Sequence, residues 1–383
     1  MTTPRLGTLS AIFMTALLWG AAPAAAVITD APAPAQPSKF NVETFAEGLE
    51  HPWGMQFLPD GRLLVTERPG RMRLISKDGK LSPPVGGVPE VAAVGQGGLL
   101  DVLLAPDFAT SGVIYFSYGE PREDGKNGTS VARARLVFDG DTAKLEDVKV
   151  IFRQQPATSS GHHFGSRLVW AKDGTLFITT GERNKLRAEA QNPANDIGKV
   201  IRINADGSIP ADNPKLPGWA PEVWSIGHRN IQGAAIRPDN GQLYTVEHGA
   251  RGGDELNRPE AGKNYGWPII TYGIDYSGLP IGEGSEKKGM EPAVYYWVPS
   301  IATSGLAFYN GDLFPEWKGN AFVGGLAGTQ LHRLVFDGDN VVAAEPLLRE
   351  KVKRIRDVRQ GPDGALWLLT DDDGEVLRLT PPK

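Results

Sequence analysis

Six polar residues fall at one recurring place in a repeated stretch of this sequence: Gln96, His163, Arg229, Asn230, Arg354 and Arg356. They bring together one imidazole, two amides and three guanidinium groups. An imidazole takes up a proton near neutral pH, so His163, with Gly161 and Gly165 on either side, is a candidate general base. The planar forks of Arg229, Arg354 and Arg356 match carboxylates through paired N–H groups, and several forks aimed at one point imply a ligand with several carboxylates. Arg354 and Arg356 have the same parity on a strand, so their side chains leave one face. The competing reading is that these arginines pair with the chain's own acids, such as Asp357.

Three loops are unusually polar: Gly161-His-His-Phe-Gly-Ser-Arg167, Trp224-Ser-Ile-Gly-His-Arg-Asn-Ile-Gln-Gly233, and Glu247-His-Gly-Ala-Arg-Gly-Gly-Asp-Glu-Leu-Asn257 running on to Asn264-Tyr-Gly-Trp-Pro268. Four of the six histidines lie in them, as His162, His163, His228 and His248. Their spacing matches no zinc signature, and adjacent His162 and His163 do not easily face one ion. The Gly-, Asp- and Asn-rich stretch 247–265 offers hard oxygen ligands of the kind calcium takes.

These residues need a scaffold that brings distant loops together. A short apolar stretch, a Pro/Asp/Gly turn and a strand-like run follow each polar slot. The pattern starts at His51-Pro-Trp-Gly-Met, Gly97-Gly-Leu-Leu-Asp, Gly165-Ser-Arg-Leu-Val, Gln232-Gly-Ala-Ala-Ile, Ser304-Gly-Leu-Ala-Phe and Ile355-Arg-Asp-Val-Arg. Period-2, β-branched and aromatic runs follow the turns, for example Leu63-Leu-Val-Thr-Glu67 and Leu176-Phe-Ile-Thr-Thr180. The spacing predicts an all-β fold, a six-bladed β-propeller of four-stranded antiparallel blades over residues 40–383, whose polar slots meet around a central channel.

Residues 1–26 read as a secretory signal peptide, with Arg5, an apolar core from Leu9 to Trp19, and small residues to Ala26. Residues 27–39 read as a Pro-rich linker. A periplasmic or secreted protein with no membrane span after cleavage is expected. The chain has no cysteine, which excludes disulfides, thiolate catalysis and Cys-ligated metals. A net charge of −5 gives no support to a nucleic-acid partner.

In this combination and order, Gly95-Gln-Gly-Gly-Leu-Leu, His163-Phe-Gly-Ser-Arg-Leu, Gly227-His-Arg-Asn-Ile-Gln-Gly, Gly252-Gly-Asp-Glu-Leu-Asn, Gly262-Lys-Asn-Tyr-Gly-Trp-Pro and Arg354-Ile-Arg-Asp-Val resemble the soluble quinoprotein glucose/sorbosone dehydrogenase family. The likeness runs from about His51 to the C-terminus and is strongest to the aldose sugar dehydrogenases that use pyrroloquinoline quinone (PQQ). It implies that His163 takes the proton of the anomeric hydroxyl while the C1 hydride passes to PQQ, giving a lactone, with electrons leaving to an external acceptor, a quinone or a redox protein. It further implies that Gln96 holds an aldose substrate near the quinone, and that Arg229, Asn230, Arg354 and Arg356 hold PQQ. Gly249 and Ala250 would offer carbonyls to a cofactor calcium, Glu255 and Tyr265 would serve a second calcium, and Trp297 beside Tyr296 would form an aromatic wall. Three positions depart from the family's habit: Ala327 stands where a cofactor-contacting Lys is usual, His162 precedes the base, and Ala250 replaces a Pro. Two other readings compete: a calcium-dependent propeller lactonase, which needs carboxylates and amides with few arginines around its metal, and a non-catalytic glycan- or protein-binding propeller.

Overall fold

Each apolar run before a Pro/Asp/Gly turn becomes the innermost strand of a blade, and the turn folds the next run back onto it as an antiparallel hairpin. The computed structural model describes residues 31–328, 330–351 and 353–382, so the expected signal peptide and the first residues of the linker lie outside it. Six antiparallel sheets follow one another in chain order. Their inner strands are Pro52–Phe57, Leu99–Leu104, Gly165–Trp170, Ile231–Ile236, Thr303–Phe308 and Ile355–Gln360, for blades 1 to 6. Successive inner strands pack side by side, and blade 6 returns to blade 1. The N-terminal strand Asn41–Ala46 pairs with Val376–Thr380, so chain start and chain end share blade 6 and close the ring. Five blades carry four strands; in blade 1 the outer place is held by a single bridge, Leu81 to Ile75.

A strand buried on both faces must be apolar on both, and the six large core clusters among the described residues show why. Each fills one gap between neighbouring blades: Leu64, Met72 and Phe116 between blades 1 and 2, for example, and Trp317, Phe322 and Leu368 between blades 5 and 6. The inner strands do not pair with one another, so hydroxyls on inner or second strands tie each blade to the inner strand of the next. Ser117 donates to the Ser166 carbonyl at 2.6 Å, Thr179 to Ile231 at 3.0 Å and Ser304 to Ile355 at 2.5 Å. The end of the linker is also tied down: Ser38 donates to Glu345 of blade 5 and accepts from Trp317. No described helix is long and apolar enough to cross a membrane.

Midway down the channel a buried ion cluster joins several blades. Arg167 reaches Asp101 at 2.9 Å and Asp357 at 3.1 Å, donates to the Gln232 carbonyl and lies over the Trp53 ring, while Arg359 contacts both acids. Removing one partner from such a cluster strands the remaining buried charge. Arg167→Met should therefore cost about 3–5 kcal/mol of stability, read as a large drop in the denaturant midpoint. A midpoint equal to wild type would contradict this account of the ring.

Candidate functional site

All six inner strands start at the same end of the channel, and in all six the pairing register slips within the first few residues. Such bulges re-aim side chains and end pairing locally. Here they turn the loops just before the inner strands into the channel mouth. A second set of loops, those that follow the second strand of each blade, opens at this same end.

His163 comes from the first set and Glu182 from the second. His163 adopts φ of 52°, a left-handed conformation, and Gln96 Oε1 accepts from its N–H at 2.8 Å. A Cβ on Gly181 would stand 2.1 Å from the His163 carbonyl, so the neighbouring loop has to carry glycine there. The His163 Nδ1 lies 2.7 Å from Glu182 Oε1, with both side chains buried. A carboxylate can only accept, so Nδ1 carries the proton and Nε2 is left as a lone pair. Burial pulls the imidazole pKa below its usual value, opposed by the Glu182 hydrogen bond. The ring is thus neutral and basic at neutral pH.

The other mouth residues come from other blades, and Arg229 is close enough to act electrostatically on this base. Arg229 donates to the His248 carbonyl at 3.1 Å and stands 5.2 Å from the Trp267 ring, and its backbone N–H is held by Glu247 at 2.5 Å. Asn230 accepts from Gly165 N–H at 3.0 Å. Arg356 donates to Asp371 at 2.5 Å and to Gln232 at 2.8 Å. Arg354, more exposed, donates to the Leu326 carbonyl and pairs with Asp372 at 3.2 Å. The His248 ring lies near Arg229, His163 and Arg356, and burial first, then the positive charge of the Arg229 guanidinium and its neighbours, hold its pKa down to about 3. Ala327 sits in the blade 5 loop of the second set, its N–H held by the Ile301 carbonyl at 2.9 Å.

Several enclosed polar atoms here have no protein partner: Arg229 Nε, Arg356 Nε, Asn230 Nδ2, His248 Nε2 and Glu182 Oε2. Leaving such groups unpaired costs about 1–3 kcal/mol each, so the mouth is built to be completed by a ligand. Three of the five are donors from arginine and asparagine, which suits an anionic, acceptor-rich molecule such as PQQ.

The structure revises several sequence expectations. The Gln96 carbonyl is committed to the His163 backbone, so this residue braces the base as well as facing the site. Arg354 and Arg356 share parity but are also paired with acids, though with Asp371 and Asp372 rather than Asp357. Trp297 is not an aromatic wall: strand alternation sends its indole into the core between blades 4 and 5, where it donates to His332 Nδ1 at 3.1 Å. The neighbouring Tyr296 leaves the other face and stacks on Tyr272 at 4.1 Å. The residues missed were Glu182, Glu247 and Asp371. Each lies at or just after the end of a second strand, in Thr-Gly-Glu182, Val-Glu247 and Leu-Thr-Asp371, and each holds a residue of the preceding entry loop.

Two places suit hard cations. The loop Gly249–Gly253 folds on itself so closely that a Cβ on Gly249 would meet the carbonyl oxygens of Gly252 and Gly253 at 2.2 and 2.4 Å, while the Gly249 N–H donates to Asp254. Gly249→Ala is expected to break this turn, seen as a lowered melting temperature; wild-type melting in that variant would contradict the constraint. Beside it, burial and then the facing Glu247 carboxylate push the Glu255 pKa well up, and Asn257 Oδ1 has no partner. A buried carboxylate and a half-buried one, with a free amide oxygen beside them, are a donor set for a hard cation. Tyr265 reaches this cluster only through His228, on which its ring stacks at 4.9 Å, and its hydroxyl donates to the Arg258 carbonyl.

Comparison with known proteins bears on the same residues. The family model "Glucose / Sorbosone dehydrogenase" matches residues 49–378. Aldose sugar dehydrogenase YliI of Escherichia coli is 47% identical over 353 residues, covering 91% of this chain and 94% of that protein. The crystal structure of the soluble E. coli aldose sugar dehydrogenase in its apo-form superposes with a TM-score of 0.86 over 90% of this chain and all of that one, again at 47% identity. The PQQ-bound aldose sugar dehydrogenase of Streptomyces coelicolor superposes with a TM-score of 0.75 at 30% identity, over 90% of this chain and 99% of that one.

Proposed function

The chain belongs to the glucose/sorbosone dehydrogenase family, and from that premise we propose that it is a PQQ-dependent aldose dehydrogenase that oxidises sugars at C1 to the lactone. The observation that carries this reading is the His163–Glu182 couple set among guanidinium and amide groups whose enclosed N–H donors lack protein partners.

Arg229, Asn230, Arg354 and Arg356 would hold the cofactor's carboxylates and quinone oxygens, and the Gly249 and Ala250 carbonyls would hold a calcium ion beside it. When bound, PQQ supplies the electrophilic carbonyl that accepts the hydride, and calcium polarises it. The protein's own part is the proton. The His163 Nε2 lone pair takes it from the anomeric hydroxyl, and Glu182 keeps Nδ1–H in place and stabilises the imidazolium as it forms. Gln96 fixes the backbone that carries the base. His162, exposed at the mouth with its ring 6.4 Å from that of His163, would meet the sugar. Glu255 and its neighbours would hold a second calcium. Electrons then pass to an external acceptor, and the signal-like residues 1–26 support export to the periplasm or medium.

The reading is tested by reconstituting the purified protein with PQQ and calcium and following dye reduction with a panel of aldoses. Sugar-dependent reduction that requires PQQ is expected. A protein that binds PQQ but reduces no dye with any aldose would overturn it.

A further inference from the structure

Register places one residue of blade 1 level with two residues of the site. In blades 1, 4 and 6 the first residue of the inner strand faces the last residue of the second strand: Pro52 opposite Glu67, Ile231 opposite Glu247, and Ile355 opposite Thr370. The next residue along is therefore equivalent in all three blades. It is His248 in blade 4, Asp371 in blade 6, and Arg68 in blade 1. Blade 1 adjoins blade 6 around the ring, and Arg68 is close enough to act electrostatically on both Arg356 and Asp371.

Arg68 is held through its backbone and by one side-chain bond. Its carbonyl accepts from Leu99 N–H at 3.1 Å, just after the Gln96-Gly-Gly loop, and its NH1 donates to the Gly95 carbonyl at 3.0 Å. Its Nε is enclosed and has no partner. The other arginines on this side of the mouth are largely committed: Arg356 to Asp371 and Gln232, Arg354 to Asp372 and the Leu326 carbonyl. Among the described residues Arg68 has no ion-pair partner within contact distance, and the Asp371 carboxylate it feels is already paired with Arg356, so Arg68 adds a guanidinium without a carboxylate of its own. Across the mouth, Ala327 brings none.

We propose that Arg68 is a further binding residue of this site, donating to an anionic group, a carboxylate of the bound cofactor, on the blade 1 side. This rests on the PQQ reading above. The guanidinium meets the ligand; it takes no part in the proton transfer.

The test is titration of the calcium-loaded apoprotein with PQQ, followed by the quinone absorbance and by quenching of tryptophan fluorescence, with no sugar present. Losing one charge-assisted contact should weaken PQQ binding roughly 10- to 100-fold in Arg68→Gln, with Arg68→Lys recovering part of the loss by keeping the charge without the fork. An affinity in Arg68→Gln equal to wild type would overturn the proposal. So would a loss that Arg68→Lys leaves wholly unrecovered while the apoprotein melting temperature falls in both variants, since Arg68 would then be holding the Gly95 loop alone. Failure of the wild-type protein itself to bind PQQ would sink the cofactor reading instead, which keeps the two outcomes apart.

Discussion

His163→Ala is expected to lower aldose-dependent turnover roughly 10²–10⁴-fold, the usual contribution of a positioned base, while PQQ still titrates at an affinity near wild type. The Nδ1 side of the ring is occupied by Glu182 and the backbone by Gln96, so Nε2 is the ring atom left to act on the substrate. The cofactor's proposed partners lie on other blades, in Arg229, Asn230, Arg354 and Arg356, and none of them hydrogen-bonds to the His163 side chain. Turnover and cofactor binding should therefore separate. If the variant loses PQQ binding and keeps its rate per bound cofactor, His163 is a cofactor ligand and not the base.

Glu182→Gln should be nearly as damaging, roughly 10²–10⁴-fold in turnover, because an amide can donate to Nδ1 and so select the tautomer in which Nε2 carries the proton. It should also alter the pH dependence. In wild type, burial lowers the His163 pKa and Glu182 partly restores it. A lowered pKa means that the basic form survives to more acidic pH, so the acid limb of the rate profile lies below the usual imidazole range. Removing the carboxylate takes away the restoring interaction, and the acid limb should move lower still as the maximum rate falls. A variant with full turnover, or one whose acid limb moves up, would show that Glu182 does not set the state of the base. Measuring kcat and KM together helps: a positioning residue for the base should change kcat far more than KM.

How much of this was written in the sequence depends on which side of each hairpin a residue lies. The entry loops were legible, because an apolar run and a Pro/Asp/Gly turn recur in all six blades, and in blades 2, 3, 4 and 6 the polar residues stand at or just before the start of that run. The second set was not read as a set. Its signal, an acidic residue ending a Thr- or Val-rich strand in Glu182, Glu247 and Asp371, is easily taken for ordinary strand polarity. What makes it functional is the hairpin register, and that register is altered by a bulge in every inner strand, which residue types alone do not reveal. Trp297 failed for the opposite reason. Its place next to Tyr296 suggested a shared face, yet successive residues on a strand leave opposite faces, and the larger ring went to the core. The blade 1 outer strand shrinks to the Leu81 bridge, a difference of pairing that composition does not foretell.

Arg354 and Arg356 show how the two readings of a charged pair can both hold. Their pairing with Asp371 and Asp372 is the intramolecular arrangement that common surface arginines adopt, yet the enclosed Arg356 Nε remains open. An arginine has five N–H donors, so one carboxylate in the protein does not exhaust it. Burial lowers the Arg356 pKa while Asp371 supports the charge, and the pair can stay ionised and still present an N–H to a ligand.

The central claim, a base on blade 3 working against a quinone held by the other blades, is tested most directly by a single turnover. One equivalent of aldose is mixed with calcium- and PQQ-loaded protein in the absence of any electron acceptor, and the quinone absorbance is followed. The account predicts complete conversion of the bound quinone spectrum to the reduced form in wild type, and the same end point reached roughly 10²–10⁴ times more slowly in His163→Ala at equal PQQ occupancy. A fully loaded wild-type protein whose spectrum does not change on adding any aldose, or a His163→Ala variant that is reduced as fast as wild type, would contradict it.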